Sequence, residues 1–553
     1  MVGQTYPTEL TQPARTENAP ILVQIKTLIR HKRCDLTADV GLIRPVRGLR
    51  IITVLARLSL RGCRFLGMPG WSKVVNLKFP IRMFFKKDGL IGLVSLILAA
   101  VSLTCPAGED VSPSPAHDSP EWLRSGTIYE IFPRDFSAAG NLNGVTARLD
   151  NLHDLGVNIL WIMPIHPIGA KFRKGKFGSP YSVSDYYAVN PDYGTLDDFK
   201  KLVAGAHQRG MKVIMDIVAN HTAWDSVMMA HPDFYKQDGN GKIIPPVPEW
   251  TDVAGLNYAN PKLREYMIAM LKYWIQACDV DGFRCDVAYE VPTDFWEQAR
   301  ARLKQIKPDI IMLAEASKPE LLVKAFDLDY SWPLLTTLNN VLIHDAPASE
   351  FQRTWQENSR EFPKGSLHLR ISDDHDEARA VSRYGIRGAL AASVLMFTLD
   401  GVPLLYNGME AGDATESGDP ALFDKLPIVW HPKERPDLNS IYHELIKLRR
   451  QSPAFHNDRV IWLKNTDEKS AVTFMRADER EQYVVVINFS NHPDNAGVEV
   501  SNPADFQLVT IKGMAGCSPS DFPSMHLGGF EWRIYHRAIP TINAASTKSV
   551  SVR

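Results

Sequence analysis

The chain has 553 residues, of which 45% are hydrophobic and 23% charged, with a formal net charge of −1. This balance is typical of a globular protein with a large core, and it excludes a uniformly basic nucleic-acid binder. Six cysteines are too few for a disulfide scaffold, and no series of long apolar runs indicates a multi-span membrane protein.

The first 87 residues differ in charge from the rest. They carry 16 Lys and Arg against 4 Asp and Glu, whereas residues 88–553 carry 46 against 59. We interpret residues 1–82 as a basic extension that precedes the true start of translation at Met83. The alternative is a basic arm that binds a membrane surface or nucleic acid.

Residues 83–105 have the organisation of a signal peptide. Lys86 and Lys87 precede an apolar run at 89–103, and an acidic, Pro- and Ser-rich linker follows at 106–120. The alternatives are an uncleaved membrane anchor and a lipid anchor on Cys105. We therefore expect an exported protein, periplasmic or extracellular, that meets a membrane only through such an anchor.

From residue 121 to residue 450, apolar strands alternate with helices. The predicted strands are 127–131, 158–163, 212–217, 282–287, 310–314, 367–372 and 402–406, and the predicted helices are 145–155, 196–208, 261–278, 294–306 and 389–399. Strands that are apolar throughout indicate a parallel sheet covered on both faces. About eight such repeats predict a (β/α)8 TIM barrel; a doubly wound sheet is the alternative, but no Gly-rich phosphate loop follows any strand.

After residue 450 the pattern changes to short β runs separated by turn residues. Such runs occur at 460–463, 470–476, 482–489, 506–509 and 530–536. They predict a C-terminal antiparallel β-sandwich domain over 451–537, followed by a flexible tail at 538–553. Cys278, Cys285 and Cys517 are the cysteines beyond the linker, and we expect no required disulfide among them.

Polar residues follow the predicted strands where each strand ends. They are Asp216, Asn220, His221, Arg284, Asp286, Glu315, Asp373, Asp374, His375 and Asp376. The carboxyl ends of barrel strands meet at one mouth, so these side chains are expected to lie together. Separated carboxyl groups in a cleft suit glycoside hydrolysis, in which one acts as nucleophile or base and another as acid.

Spacing suggests how two of these carboxyl groups are tuned. Arg284 lies two residues before Asp286, on the same strand face, and should keep that carboxylate ionised. Glu315 follows an apolar strand, and partial burial should raise its pKa, as a general acid requires. Any one of these residues taken singly could instead cap a helix or form a structural ion pair.

Four short segments resemble those of the α-amylase family of glycoside hydrolases, family 13. They are DIVANH at 216–221, GFRCD at 282–286, LAE at 313–315 and DHD at 374–376. The resemblance extends from about Ser125 to His536 and includes GSPYSVSDYYAVNPDYGT and GVPLLYNGMEAG. It implies a barrel with a short subdomain inserted after the third strand, here 222–257, and a C-terminal β domain.

The resemblance also implies residue roles. The three catalytic carboxylates are the nucleophile Asp286, the general acid/base Glu315 and the transition-state stabiliser Asp376. The substrate-binding residues are His221 and His375, which contact the sugar in the cleaved subsite, Tyr181, the platform beneath that sugar, and Arg284, the arginine beside the nucleophile. For Tyr181, packing within its loop is the alternative to an aromatic platform under the sugar. Trp224 and Trp250, in the inserted segment, are expected either to bind sugar or to pack that segment on the barrel.

The sequence departs from the family pattern in three places. Asp374 stands where an asparagine is usual, which adds charge beside Asp376 and should raise a neighbouring carboxyl pKa. Tyr289 and Glu290 replace a common Lys-His pair on the acceptor side. Asn220 matches a calcium ligand, but Gly255 stands where an aspartate would help, so we expect no required cofactor, with a bound calcium ion as the alternative, and leave the metal ligands unassigned.

The predicted function is retaining hydrolysis of α-glucosidic, mainly α-1,4, bonds in starch-derived glucans or maltooligosaccharides through a glycosyl-enzyme intermediate. One alternative is a transglycosylase of the same family, of the glucanotransferase or trehalose synthase type. Another is a non-catalytic sugar-binding protein on the same scaffold. A nucleic-acid partner is not expected unless residues 1–82 belong to the mature chain.

Overall fold

The computed structural model describes residues 110–431, 438–512 and 522–539, together with three strands nearer the N-terminus. Those strands, Ile25–His31, Cys34–Val40 and Ser59–Arg61, form an antiparallel sheet that the sequence did not predict. The chain divides into two compact units, 1–110 and 111–553. The predicted signal at 83–105 and the tail from 540 lie outside the described residues. Among the helices that are described, none has the length and apolar character needed to span a membrane.

Eight parallel strands close into a barrel in the second unit. They are β1 (Ile128–Ile131), β2 (Ile159–Ile162), β3 (Lys212–Val218), β4 (Gly282–Asp286), β5 (Ile311–Ala314), β6 (Leu328–Tyr330), β7 (Leu367–Arg370) and β8 (Val402–Tyr406). Each strand pairs with the next in the chain, and β8 pairs with β1. Nearly every strand residue is buried, because helices cover the outer face and side chains fill the interior. The predicted (β/α)8 barrel is confirmed.

Helices precede β1, occupy the connections between the barrel strands and follow β8. They are Glu121–Arg124, Pro133–Phe136, Leu142–Thr146, Leu149–Leu155, Leu196–Gln208, Pro261–Cys278, Thr293–Lys304, Leu321–Lys324, Trp332–His344, Glu350–Glu361, Ala380–Thr398, Asp419–Phe423 and Asn439–Gln451. Single 3₁₀ turns lie at Val227–Ala230, Pro232–Phe234, Ala288–Glu290, Met409–Ala411, Pro453–Phe455 and Pro503–Asp505. The start of the helix Leu196–Gln208 is fixed by Thr195 and Asp198, which form a reciprocal capping box.

Two barrel elements differ from their prediction. The helix predicted at 145–155 is two short helices, Leu142–Thr146 and Leu149–Leu155, separated at Arg148, whose backbone is not helical. The strand β6 was not predicted, because it has only three residues and its centre is Asp329. Asp329 is nevertheless fully buried, where its carboxylate bonds the His368 ring at 2.6 Å.

The segment between β3 and the helix Pro261–Cys278 holds a small hairpin. Its strands, His221–Ala223 and Val253–Gly255, pair antiparallel. The indole Nε1 of Trp224 donates to the Thr251 carbonyl at 2.9 Å and so joins the two arms. This segment lies where the sequence placed the inserted subdomain, directly beside the mouth of the barrel.

The C-terminal region is antiparallel, as predicted. Its strands are Val460–Trp462, Ala471–Ala477, Glu481–Asn488, Asp494–Gly497, Gln507–Leu508, Ser524–Leu527 and Trp532–Ala538. Five of them form one sheet and two form a second, and an apolar cluster that includes Val484, Val486 and Leu527 lies between the sheets. The larger sheet contacts the barrel, since the buried Arg476 donates to the Thr398 carbonyl at 3.0 Å.

Candidate active site

A buried arginine lies at the centre of the barrel mouth. Arg284, near the end of β4, is fully buried, and its guanidinium contacts carboxyl groups from three neighbouring strands. Nη1 lies 3.0 Å from Asp216 and 3.3 Å from Asp286, and Nη2 lies 2.6 Å from Glu315. The structure therefore brings together the predicted polar residues of β3, β4 and β5.

Asp216 anchors this arginine. Its carboxylate is fully buried and accepts hydrogen bonds from the Trp161 indole at 3.1 Å and the Tyr181 hydroxyl at 3.1 Å, besides both contacts with Arg284. A buried charge is tolerated only when it is paired and hydrogen-bonded in this way. Asp216 is therefore a support for Arg284 rather than a group open to the cleft.

Only one of the two carboxyl oxygens of Asp286 has a hydrogen-bond partner among the described residues. Oδ1 contacts Arg284, whereas the buried Oδ2 has no hydrogen-bond partner among the described residues. The nearest ring nitrogen, Nε2 of His221, is 4.0 Å from Oδ2. An unpaired, buried carboxylate oxygen is costly, and active sites are where such cost is retained.

Opposing effects set the pKa of Asp286. Burial and the charge of Glu315 raise it well above its usual value, although Arg284 acts in the opposite direction. That Arg284 keeps Asp286 ionised stays a prediction: the guanidinium lowers the pKa of Asp286, as expected, but burial and the charge of Glu315 outweigh it. The main reason is the burial of the carboxyl group; the guanidinium, which lies closer to Glu315 and Asp216 than to Asp286, offsets it only in part.

Glu315 is held by two donors at one oxygen. Oε2 accepts from Arg284 and from the Val287 backbone N–H at 2.9 Å. Val287 has φ of 45°, a left-handed conformation that a β-branched residue rarely adopts, and it follows Asp286 directly. Burial, together with the charge of Asp376, raises the pKa of Glu315, in the direction that the sequence predicted.

The opposite wall of the mouth is built around His375. The Tyr181 ring stacks on the His375 ring with 5.4 Å between centroids, and the hydroxyl lies 2.7 Å from Nε2. Asp376 Oδ2 is 3.3 Å from the same nitrogen, and Asp376 is the most exposed of the three predicted catalytic carboxylates, at 42%. On the other side of the ring, Nδ1 lies 2.5 Å from Glu130 Oε1.

Asp374 lies beneath this wall and is fully buried. Its Oδ1 accepts the backbone N–H groups of Asp376 and Glu377, each at 3.1 Å, while Oδ2 has no hydrogen-bond partner in the part of the chain described. Burial and the charge of Asp376 raise the pKa of Asp374 well above its usual value. The carboxyl group thus shapes the turn that carries Asp376.

His221 and the aromatic residues of the insertion form the third side. Burial lowers the pKa of His221 to about 4, so the ring is neutral at ordinary pH. The Trp250 ring lies 5.6 Å from the His221 ring and therefore borders the site. Trp224 packs against Phe172 and donates to the Thr251 carbonyl, so it does pack the inserted segment; whether it also contacts sugar stays a prediction.

Three residues of this cluster were not predicted from the sequence. Tyr330, at the end of β6, lies 3.3 Å from Arg284 Nε, and the Trp161 ring lies under the same guanidinium. Glu130, in the centre of β1, is fully buried beside His375. The sequence signal that could have identified Glu130 is that it is the one charged residue in the predicted apolar strand TIYEI.

Six carboxyl groups lie around the two basic side chains of the site, Arg284 and His375. They are Glu130, Asp216, Asp286, Glu315, Asp374 and Asp376.

The residues at the family's calcium position do not fit a calcium ion. Asn220 is buried and would bring one amide oxygen, Gly255 has no side chain, and Asp252 pairs with Lys174 at 2.9 Å. Calcium takes ~6–8 oxygen ligands, several of them carboxylates. Among the described residues, no three His, Cys, Asp or Glu side chains are grouped so that they could hold a metal. No catalytic step is therefore assigned to a metal.

The barrel, its ring of carboxyl groups and the bridging arginine define the chain as a glycoside hydrolase. The model of the α-amylase catalytic domain matches residues 124–239 and 249–482. The chain therefore belongs to the α-amylase family, as the four short segments indicated.

Individual relatives agree with this assignment. The chain is 27% identical to the α-amylase MalA of Haloarcula japonica over 75% of its own length and 63% of that protein, so it spans less than two thirds of this relative. Among solved structures, a noncanonic maltogenic α-amylase AmyB from Thermotoga neapolitana has a TM-score of 0.69 at 29% identity, covering 76% of this chain and 100% of that one. An α-amylase from Lactobacillus plantarum has a TM-score of 0.68 at 31% identity, covering 75% and 100%.

Proposed function

We propose that this enzyme hydrolyses α-glucosidic, mainly α-1,4, bonds in starch-derived glucans or maltooligosaccharides, with retention of configuration. The observation that carries the proposal is the bridge that Arg284 makes between Asp286 and Glu315, with Oδ2 of Asp286 left unpaired. Relatives whose names describe α-amylases and a maltogenic α-amylase support an α-glucan substrate.

Asp286 and Glu315 act as a pair that shares one proton. Burial raises the pKa of both groups, and each charge disfavours the other, so they titrate together. In the productive state Asp286 is ionised and Glu315 carries the proton. Oδ2 of Asp286 then bonds the anomeric carbon while Glu315 gives its proton to the leaving glycosidic oxygen. In the second step Glu315 takes a proton from water, whose oxygen replaces Asp286 at that carbon.

The spacing of the pair favours retention. Two carboxyl groups that contact the same guanidinium lie close together, which suits the ~5 Å separation of retaining enzymes better than the ~6.5–9.5 Å of inverting ones.

The remaining residues of the site suit sugar binding. Tyr181 provides an aromatic face, the neutral His221 ring provides a polar edge, and Asp376 lies where positive charge develops in the transition state.

Product analysis on maltoheptaose tests the proposal. The wild type is expected to release short maltooligosaccharides whose new reducing ends begin as the α-anomer, observed by proton NMR. Asp286→Asn should lose at least ~10³-fold in turnover. Release of the β-anomer would contradict retention, and undiminished turnover by Asp286→Asn would remove this residue from the mechanism.

Azide distinguishes the two carboxylates. Glu315→Ala acting on α-maltosyl fluoride should accumulate a glycosyl-enzyme, because fluoride leaves without an acid, and azide should release it as α-maltosyl azide. Asp286→Ala cannot form that intermediate, and direct attack by azide would give the β-azide. If the two variants give the same anomer, the roles assigned to Asp286 and Glu315 are wrong.

One observation favours transglycosylation as a second activity. Tyr289 is 45% exposed, and its pKa is raised to about 12 by burial and by the charges of Glu315, Glu290 and Asp286. An aromatic ring that is half open to solvent and near both members of the acid pair offers a stacking surface to an incoming sugar. A sugar acceptor would then compete with water in the second step.

We also propose that the enzyme is exported, on the signal-like organisation of residues 83–105. N-terminal sequencing of the protein recovered from cell fractions tests this. A mature chain that begins between about 105 and 120 in an exported fraction is the expected result. A full-length chain confined to the cytoplasm would contradict it.

A further inference from the structure

Glu130 is a buried acidic residue that the mechanism above does not use. It lies in the centre of β1 and is fully buried, where an unpaired charge would be strongly unfavourable. Its Oε1 lies 2.5 Å from Nδ1 of His375, and Oε2 has no hydrogen-bond partner among the residues described. His375 is therefore the hydrogen-bond partner through which Glu130 acts on the site.

The hydrogen bonds around His375 define its protonation. Nδ1 faces the Glu130 carboxyl group. Burial raises the pKa of Glu130, while the charge of His375 and the hydrogen bond from its ring act in the opposite direction. The close contact favours the ion pair, in which Nδ1 donates to the carboxylate. The Tyr181 hydroxyl donates its proton to Asp216 Oδ2 at 3.1 Å, so its oxygen accepts from Nε2 of His375 at 2.7 Å. Asp376 Oδ2, at 3.3 Å from Nε2, is a second acceptor. Both ring nitrogens thus face acceptors, and only the doubly protonated imidazolium satisfies them.

The charges around the ring agree with this hydrogen-bond pattern. Burial alone would lower the pKa of His375, but the charges of Asp376 and Glu130 raise it to about 10, against the opposing charge of Arg284. The groups that act on the ring are Glu130 from β1, Tyr181 after β2, Asp216 from β3, Arg284 from β4, Glu315 after β5, and Asp374 and Asp376 on the histidine's own loop. Asp376 and Glu130, the two acidic groups closest to the ring nitrogens, outweigh the opposing charge of Arg284.

We infer that Glu130 is a positioning residue of the active site: its carboxylate holds His375 as an imidazolium, whose Nε2–H orients the Tyr181 hydroxyl and the Asp376 carboxylate. The inference rests on the proposed hydrolase function, because it concerns the wall against which the sugar binds. Asp376 is the partner most dependent on this, since it is the most exposed of the catalytic carboxylates.

The variant Glu130→Gln removes the negative charge of the side chain at position 130 while nearly preserving its shape. Its amide oxygen can still accept from Nδ1, but it no longer stabilises the charged ring. We expect its kcat/KM relative to wild type to fall by roughly tenfold or more between about pH 5.5 and about pH 8.5, as His375 loses its second proton within that range. A purely structural role would lower activity equally at every pH.

Asp329→Asn is the matched control. Asp329 and His368 form another buried carboxylate–imidazole pair, at 2.6 Å, and His368 packs against Phe362. The control should lose stability while its activity relative to wild type stays independent of pH. If Glu130→Gln shows the same flat ratio as the control, the inference is overturned.

Histidine NMR provides a readout that does not need turnover. In ¹⁵N-histidine-labelled wild type, the ring of His375, assigned by its loss in His375→Asn, should remain doubly protonated at about pH 8.5, and in Glu130→Gln it should be neutral. A neutral ring in the wild type at that pH overturns the inference, even if Glu130→Gln does not fold. Should the wild type not cleave maltoheptaose, the proposed function fails, and these spectra still decide the role of Glu130.

Discussion

Arg284 lies 2.6 Å from Glu315 but 3.3 Å from Asp286, so its closest carboxylate partner is the proposed acid rather than the proposed nucleophile. This asymmetry leaves Asp286 the less stabilised anion of the two. A less stabilised carboxylate is the better nucleophile toward a carbon that develops positive charge. In the free enzyme the same asymmetry favours the shared proton on Asp286, so the proposed productive state, with Asp286 ionised, requires that proton to lie on Glu315 once substrate is bound.

Arg284→Lys should lower turnover by about 10²–10³-fold and reduce the free energy of unfolding by roughly 3 kcal/mol. A lysine keeps the charge but has one nitrogen, so it cannot bridge Asp286 and Glu315 while also pairing with the buried Asp216. Kinetics on maltoheptaose and urea unfolding measure the two effects.

Arg300→Lys is the matched control for that variant. Arg300 makes two bonds to the buried Asp327, at 2.6 and 2.8 Å, on the helix Thr293–Lys304. It should lose stability while retaining kcat. If Arg284→Lys retains kcat to the same degree, the bridge has no catalytic role.

Asp374→Asn should keep turnover within about threefold of wild type at neutral pH. The raised pKa of Asp374 means that its carboxyl group is protonated over a wider pH range than usual, and an amide reproduces both its shape and its acceptor for the two backbone N–H groups. Asp374→Leu removes that acceptor and should impair turnover strongly. Equal loss in both variants would show that an ionised carboxylate is required.

Asp374→Asn should also change how the free energy of unfolding depends on pH. Because the pKa of Asp374 is higher in the folded than in the unfolded state, folding is favoured by the proton, and wild-type stability falls as pH rises above the unfolded value. Asp374→Asn lacks this dependence. Its melting temperature should exceed that of the wild type at neutral pH, and the gap should close as pH falls toward about 4. A gap that widens in acid would contradict the buried-acid interpretation.

Tyr289→Ala should shift the product distribution toward hydrolysis. Removing the ring removes a surface for an acceptor sugar near Glu315, so the ratio of elongated products to free sugars should fall by about threefold or more at high maltotriose concentration. Phe172→Ala is the control, because Phe172 is also exposed but contacts Trp224 on the rim. An unchanged ratio of elongated products to free sugars in Tyr289→Ala would show that Tyr289 does not bind the acceptor sugar.

Chelation should leave the enzyme unaffected. Since Asn220 and Gly255 do not provide an oxygen cage, EDTA is expected to change neither the melting temperature nor kcat, and added calcium should not raise either. Differential scanning calorimetry with and without calcium measures this. A melting temperature that rises with calcium concentration would reveal a site built from other oxygens.

Apolar strands and the residues that end them were predictable, because both follow from local pattern. Asp216, Asp286 and Glu315 each follow a run of buried residues, and the barrel topology brings them to one mouth. The strand β6 was not predictable in this way, since three residues around a central Asp329 give no apolar run. Its buried charge is compensated by His368, a partner on another strand.

The protonation and charge pairing of the site residues were harder to predict than which residues lie in the site. Spacing placed Arg284 beside Asp286 on one strand, but whether it contacts Glu315 more closely depends on β4 lying next to β5 and on the backbone turn at Val287. Glu130 likewise belongs to the site only through His375, 245 positions further along the chain. Contacts of that kind are set by tertiary packing and leave no local signal.

The surplus of carboxyl groups over cations in the mouth also affects inhibition. A sugar analogue with a protonated ring nitrogen carries its positive charge close to where the anomeric carbon develops one, and the surrounding anions would attract it. The uncharged oxygen analogue lacks this attraction. Tight binding by iminosugars should therefore require an ionised Asp286 and a protonated ligand together, which confines their potency to the pH interval in which both conditions hold.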